Sequence, residues 1–274
     1  MRQLKRFLKT YQILNFLFLF LLQACGNVSE KDIVPGPEFT PEIGTLEDDL
    51  WFLSERFEET IKDHPSLVKD KQINQYVKKV FCKIEPNYCD KIRIYIARIP
   101  AFNAFMTANG MMVIQTGALI VLENEAQLAS LLGHEFGHYY HRHSIKRLQK
   151  QEAINNAYSI FNNALFLGLA YMNANPYSYY NYDIANILSV GELGLMLAQL
   201  SYFKYSRENE TEADMYGLDV LDRCGYQLNE APKKWEKLIE MYDKTDVNIN
   251  FPSFTSSHPT PKRRINDLRK RIED

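Results

Sequence analysis

Five consecutive residues, His134-Glu135-Phe136-Gly137-His138, constrain this chain more than any other feature. On a helix, positions i and i+4 are separated by about 40° of rotation and one turn, so both imidazoles can point at one ion with Zn–N distances of about 2.0 to 2.1 Å. Glu135 lies three residues before His138 and beside it on the helix surface, where its carboxylate can reach a water on the metal. Gly133 and Gly137 would let another backbone approach this helix closely. His141 follows His138 by three, but a helix cannot easily aim i, i+4 and i+7 at one tetrahedral ion. It is therefore not expected to be a ligand, and Arg142, His143 and Ser144 read as a polar edge.

A third ligand should come from a different helix. The densest acidic window is Ser206-Arg207-Glu208-Asn209-Glu210-Thr211-Glu212-Ala213-Asp214. Glu208 and Glu212 read as a solvated face. Glu210 and Asp214 are four apart on one face, and Gly217 extends the same stripe and permits close helix packing. Glu210 can ligate the ion while Asp214 accepts the outer N–H of a ligating histidine, which fixes its tautomer and aim. Two imidazoles and one carboxylate leave a position open for a water, whose proton Glu135 can take. One Zn²⁺ per chain is the expected cofactor.

Apolar spacing predicts helices over 45–62 and 66–83. Ile92, Ile94 and Ile96 then alternate with Arg93, Tyr95 and Ala97 as in a strand, and Ala104–Thr107 and Met111–Thr116 flank Asn109-Gly110, the signature of a hairpin with a primed turn. A long helix is expected from Asn124, with Asn124 and Gln127 in capping-box relation, to about Gln149. Further helices are expected over 154–171, 184–203, 207–223, 229–243 and 260–272. The Tyr- and Asn-rich stretch Asn173–Asp183 reads as a surface loop or as a flap facing membrane or substrate. The fold class is α+β, a mainly helical domain with a small sheet or hairpin before the metal-binding helix.

The first 24 residues hold Arg2, Lys5, Arg6 and Lys9 and no acid, followed by an apolar run from Ile13 to Leu22. Of 32 basic and 34 acidic residues in the whole chain, 28 and 34 remain beyond this segment, a net charge of −6. That balance argues against a nucleic-acid partner, which needs a clustered basic face. At 46% hydrophobic and 24% charged, the chain can bury a core, so disorder is excluded. A basic stretch, a short apolar run and Leu22-Gln23-Ala24-Cys25 make a secretory signal whose end resembles a bacterial lipobox. Residues 1–24 are then a signal peptide, Cys25 the lipid-bearing residue and 25–44, with Pro35, Pro37 and Pro41, a tether to the domain at 45–274. Gly26 after the cysteine favours the outer membrane. Cys82 and Cys89, seven apart around Pro86-Asn87, suit a small-loop disulfide in an oxidising compartment, or less well a metal site; Cys224 is left unpaired.

With these residues in view the chain resembles the gluzincin peptidases of the CAAX prenyl protease, HtpX and OMA type, and most of all the periplasmic lipoprotein members such as BepA and LoiP. The matching residues are HEFGH at 134–138, HRHS at 141–144, Glu210-x-x-Ala213-Asp214, Phe102-Asn103-Ala104-Phe105 with Gly117, and His258-Pro259 with Arg264-Ile265. The resemblance implies a zincin-like metalloprotease in which His134, His138 and Glu210 bind zinc and Glu135 is the general base. It also implies that His258 sits near the metal as a resting ligand or transition-state donor; from sequence alone it could equally cap a helix before Pro259. No helical-repeat domain like that of BepA is expected beyond the domain at 45–274. The implied function is a lipid-anchored zinc endopeptidase of the bacterial envelope, facing the periplasm, that degrades misfolded or stalled envelope proteins. The alternative is a chaperone or assembly factor for outer-membrane proteins with a latent site.

Replacing Cys25 with serine is expected to move the protein from the membrane to the soluble fraction of a cell lysate. Unchanged membrane association would contradict lipidation.

Overall fold

A computed structural model of the chain describes residues 35–155, 205–244 and 261–274. Its elements in chain order are α1 (Leu46–Ile61), α2 (Lys71–Ile84), a 3-10 turn at Pro86–Tyr88, β1 (Arg93–Ala97), β2 (Ala104–Met106), β3 (Met111–Gln115), α3 (Thr116–Val121), α4 (Glu125–Tyr140), α5 (His143–Asn155), α6 (Arg207–Arg223), α7 (Glu230–Lys244) and α8 (Pro261–Glu273). The architecture is α+β, mainly helical with one small three-stranded sheet. The expected signal peptide, Cys25, most of the helix at 154–171, the whole of that at 184–203, the 173–183 loop and His258 lie outside the described residues.

Helix starts follow from local chemistry. Thr45, Asp70 and Ser206 each accept a hydrogen bond from the backbone N–H three residues on, and so satisfy a donor that the first turn leaves open. Asn124 does the same for Gln127 at 2.9 Å, while the Gln127 amide oxygen accepts from Glu123 rather than from Asn124. Both amides then donate to Glu230, tying the start of α4 to the start of α7. The second helix begins at 71 rather than 66 because residues 66–68 pair with β1 instead: Val68 N–H donates to Ile96 O and Arg98 N–H to Ser66 O.

The sheet runs in the order β1-β3-β2, with β1 parallel and β2 antiparallel to β3. Because β3 is central, both of its edges are already paired. All five β3 residues are buried, and the pleat sends them alternately to two sides. Met112 and Ile114 join the main core, built around α4, whereas Met111 and Val113 meet Ile61, Leu67, Ile99 and Phe105 in a smaller core.

The hairpin turn differs from the primed type expected. Gly110, at φ 84°, is the residue at positive φ in the turn, and its N–H donates to Thr107 O at 3.1 Å. This is a turn followed by one left-handed glycine, a three-residue loop geometry. The reason lies in Asn109. Its side chain accepts from Thr107 Oγ1 and donates to Glu58 on α1, which holds its backbone out of the left-handed region. The long helix expected from 124 to 149 is also two helices. It ends at Tyr140, Arg142 takes φ 53°, and α5 starts at His143. At 116 the chain leaves the expected strand for α3. There Gly117 abuts the backbone so closely that a Cβ would stand 2.3 Å from Ala101 O.

Residues 35–45 form part of the body rather than a free tether. Tyr88 donates to Pro35 O at 2.7 Å, Phe39 packs on Trp51, and Glu47 just beyond them pairs with Arg142. Cys82 and Cys89 are joined by a disulfide with Cα atoms 4.6 Å apart, and Cys224 is free.

Glu58 is the polar centre of the α1–sheet contact, receiving Arg93, Tyr95 and Asn109. Burial raises its pKa, but the bond and charge of Arg93, with Tyr95 and Asn109, outweigh it and hold the carboxyl below its ordinary value. A carboxylate whose pKa is lower folded than unfolded stabilises above the unfolded value and loses that contribution as pH falls through the folded one. Glu58→Gln is therefore expected to lower the melting temperature at pH 7, with the difference from wild type shrinking as pH falls below about 4. A constant difference over that range would contradict the assignment.

Candidate metal centre

The contact between α4 and α6 builds the site. A Cβ on Gly217 would lie 2.8 Å from Ser130 O, and one on Gly137 would lie 3.2 Å from Ala213 Cα, so the two helices touch backbone to backbone. At that separation the stripe Glu210–Asp214 on α6 faces His134 and His138 on α4. All four side chains are buried.

His134 Nε2 and His138 Nε2 are 3.1 Å apart. Glu210 places Oε2 3.7 Å from the first and Oε1 3.5 Å from the second. Ligands 2.0 to 2.2 Å from a tetrahedral ion stand about 3.3 to 3.6 Å from one another. The three donor groups therefore have the spacing of a tetrahedral face, and the residues fit a metal ion. His141 has no place in this cluster; its Nδ1 meets Glu212 at 3.2 Å.

Around the donors sits a set of buried charges. Asp214 Oδ1 is 3.1 Å from His134 Nδ1, and Arg264 on α8 donates to both Asp214 oxygens at 2.6 Å. Arg264 Nη1 also lies 3.2 Å from Glu210, and the guanidinium stacks 3.9 Å above the Trp235 ring. Burial opposes ionisation of Asp214, yet Arg264 overrides it and holds the carboxyl well below its usual range. Burial and then the Arg264 cation push His134 down to about 4, leaving it neutral, as a ligand must be. Burial, then the charge of Glu210, pushes Glu135 well up; its Oε1 has no hydrogen-bond partner among the described residues. Lys234, buried and bonded to Ser130 Oγ at 2.6 Å, is lowered by burial to about 7.

The expected residues His134, Glu135, His138, Glu210 and Asp214 thus come together, while His258 and Cys25 fall outside the described residues. Two expectations need correction. His143 is not on a polar edge: it is fully buried, with Nδ1 2.8 Å from His138 Nδ1. Glu212 is not merely solvated, since it binds His141 and His143. Arg264, Trp235 and Tyr205, which stacks on the His138 ring at 3.9 Å, also belong to the site, and neither periodicity nor ligand spacing reveals them. The only trace of Arg264 was its place in the downstream motif.

Residues 68–272 match the family model "Peptidase family M48". The chain is 24% identical over 251 residues to the beta-barrel assembly-enhancing protease of Yersinia pestis, covering 88% of this chain and 49% of that protein. It is 25% identical over 209 residues to the protein of the same name from Escherichia coli K12, covering 75% and 40%. To the mitochondrial metalloendopeptidase OMA1 of Saccharomyces cerevisiae it is 31% identical over 172 residues, covering 61% and 43%. The chain spans about half the length of these relatives or less. M48 metallopeptidases depend on zinc, which is the ion for this donor set.

Removing one partner of a buried ion pair leaves the other uncompensated, at a cost of about 3 to 5 kcal/mol. Arg264→Met is expected to lower the unfolding free energy by roughly that amount, measured by urea denaturation with chelator present. A loss below about 1 kcal/mol, the level of a surface pair, would contradict the role given to this guanidinium.

Proposed function

The chain belongs to peptidase family M48, and on that premise we propose that it is a lipid-anchored zinc endopeptidase of the bacterial envelope that cleaves misfolded or stalled envelope proteins. The observation that carries this reading is the buried set His134, His138 and Glu210 with the carboxylate of Glu135 beside it.

In this reading His134, His138 and Glu210 hold the zinc. When bound, zinc supplies Lewis acidity, which makes a water more nucleophilic and stabilises negative charge on a carbonyl oxygen. Glu135 takes the proton of the attacking water and passes it to the leaving amine, a task suited to a buried carboxylate with an unpartnered oxygen. Asp214, fixed by Arg264, holds His134 in aim through Nδ1. His258 precedes Arg264 by six residues in the sequence. It is proposed as a resting ligand or as a donor to the developing oxyanion.

An extended substrate can be held by main-chain pairing at a sheet edge. The central strand β3 has both edges occupied. β2 is the candidate instead: it lies at the edge of the sheet and packs against α4. The lipobox-like Leu22-Gln23-Ala24-Cys25 supports the anchor, with 1–24 as signal and 25–44 as the lipidated segment leading to the domain. Among the described residues no helix is long and apolar enough to cross a membrane. The name of the bacterial relatives supports substrates among proteins bound for the outer membrane.

Purified protein is expected to hold one zinc per chain and to cleave an unfolded protein substrate. Glu135→Gln should keep the zinc and lose about 10²- to 10⁴-fold in rate. Equal cleavage by the two proteins would sink the peptidase assignment.

A further inference from the structure

A ligating imidazole gives its outer N–H to a fixed acceptor, which sets the tautomer and aims the ring. For His134 that acceptor is Asp214. The outer nitrogen of His138 faces a second imidazole instead: its Nδ1 lies 2.8 Å from Nδ1 of His143. The far nitrogen of His143, Nε2, lies 2.9 Å from Glu212 Oε2. His143 is fully buried, whereas the Glu212 side chain is 47% exposed.

The direction of these bonds follows from what each atom can do. An ionised carboxylate only accepts, so His143 Nε2 carries the hydrogen toward Glu212. His143 Nδ1 is then bare and accepts from His138 Nδ1–H. That leaves His138 Nε2 bare, on the side of His134 Nε2 and Glu210. The reverse assignment, with the hydrogen on His143 Nδ1, would leave His143 Nε2 bare against the Glu212 carboxylate at 2.9 Å, lone pair against lone pair.

Two further features serve the same ring. Tyr205 stacks on His138 with planes 16° apart, and its hydroxyl meets Ser144 Oγ at 2.9 Å. The helix break also has a geometric effect. On an unbroken helix residue 143 would lie about 140° around the axis from residue 138. The left-handed turn at Arg142 brings it back, and Arg142 is itself held by Glu47 on α1. A non-glycine residue kept in that conformation needs surrounding structure to hold it.

We propose that His143 and Glu212 form an orienting relay for His138, so that each ligating imidazole is aimed by a carboxylate, one directly and one through a second imidazole. His143 is a positioning residue, acting on zinc through His138, and the inference rests on His138 being a zinc ligand.

The test is zinc affinity of the full chain, measured by competition with a chromophoric chelator. His143→Leu should weaken binding about 10- to 100-fold. His143→Asn, whose amide can present an acceptor where Nδ1 stood, should recover most of that loss. Glu212→Ala should weaken binding, whereas Asp219→Ala, an exposed acid on the same helix, should not. With Co²⁺ as probe, the visible absorption bands of His143→Asn should match wild type and those of His143→Leu should shift. Equal losses in the Leu and Asn variants, or wild-type affinity in Glu212→Ala, would overturn the relay. The Glu212 comparison decides the matter if His143→Leu fails to fold. A wild-type chain that takes up no zinc would overturn the metal centre itself, a result separate from any difference among variants.

Discussion

The contact between α4 and α6 leaves no space for side chains at Gly137 and Gly217, and the chemistry of the centre depends on that closeness. It puts Glu135, Glu210 and Asp214 into one buried volume, three carboxylates in surroundings that penalise charge. Within that volume Arg264 reaches two of them, and Lys234 stands nearby on Ser130. A dication held by His134, His138 and Glu210 would offset the remaining repulsion. Without the ion, burial and the charge of Glu210 push the Glu135 carboxyl upward, toward its neutral form. Metal binding and the ionisation state of the site are thus parts of one electrostatic balance.

The sheet contributes by being saturated. β3 gives its side chains to two cores and its backbone to two neighbours, so it serves as scaffold and not as a docking strand. The polar tie from Glu58 to Arg93, Tyr95 and Asn109 fixes α1 across the strand ends. α1 in turn supplies Glu47 to Arg142 at the break between α4 and α5. An element far from the metal in sequence thereby holds the geometry that delivers His143.

What could be read in the sequence was what depends on periodicity and local chemistry. The helices at 46–61, 207–223, 230–244 and 261–273, the strand at 93–97 and the pairing of Glu210 with Asp214 at one-turn spacing all follow from such rules. The features that escaped depend on contacts between distant residues. Arg142 is not a helix breaker by composition, and its ties to Glu47 and Phe39, made by residues far off in sequence, hold it at the break. The Asn109-Gly110 pair favours a primed turn in isolation, but Glu58, 51 residues away, claims the Asn109 side chain. His143 and Glu212 look like surface polar residues until the break folds one against His138.

Arg264 stands 50 residues beyond Asp214 and 130 beyond His134, yet its guanidinium is the counter-charge at the heart of the centre. No local segment therefore contains a working fragment of it. Synthesis must pass residue 264, and the loop back to α4 must close, before the ligating imidazoles and their carboxylates share one environment. A chain exported unfolded would travel with its donor groups dispersed and solvated. The donor set is then completed only when α8 has docked on α4 and α6.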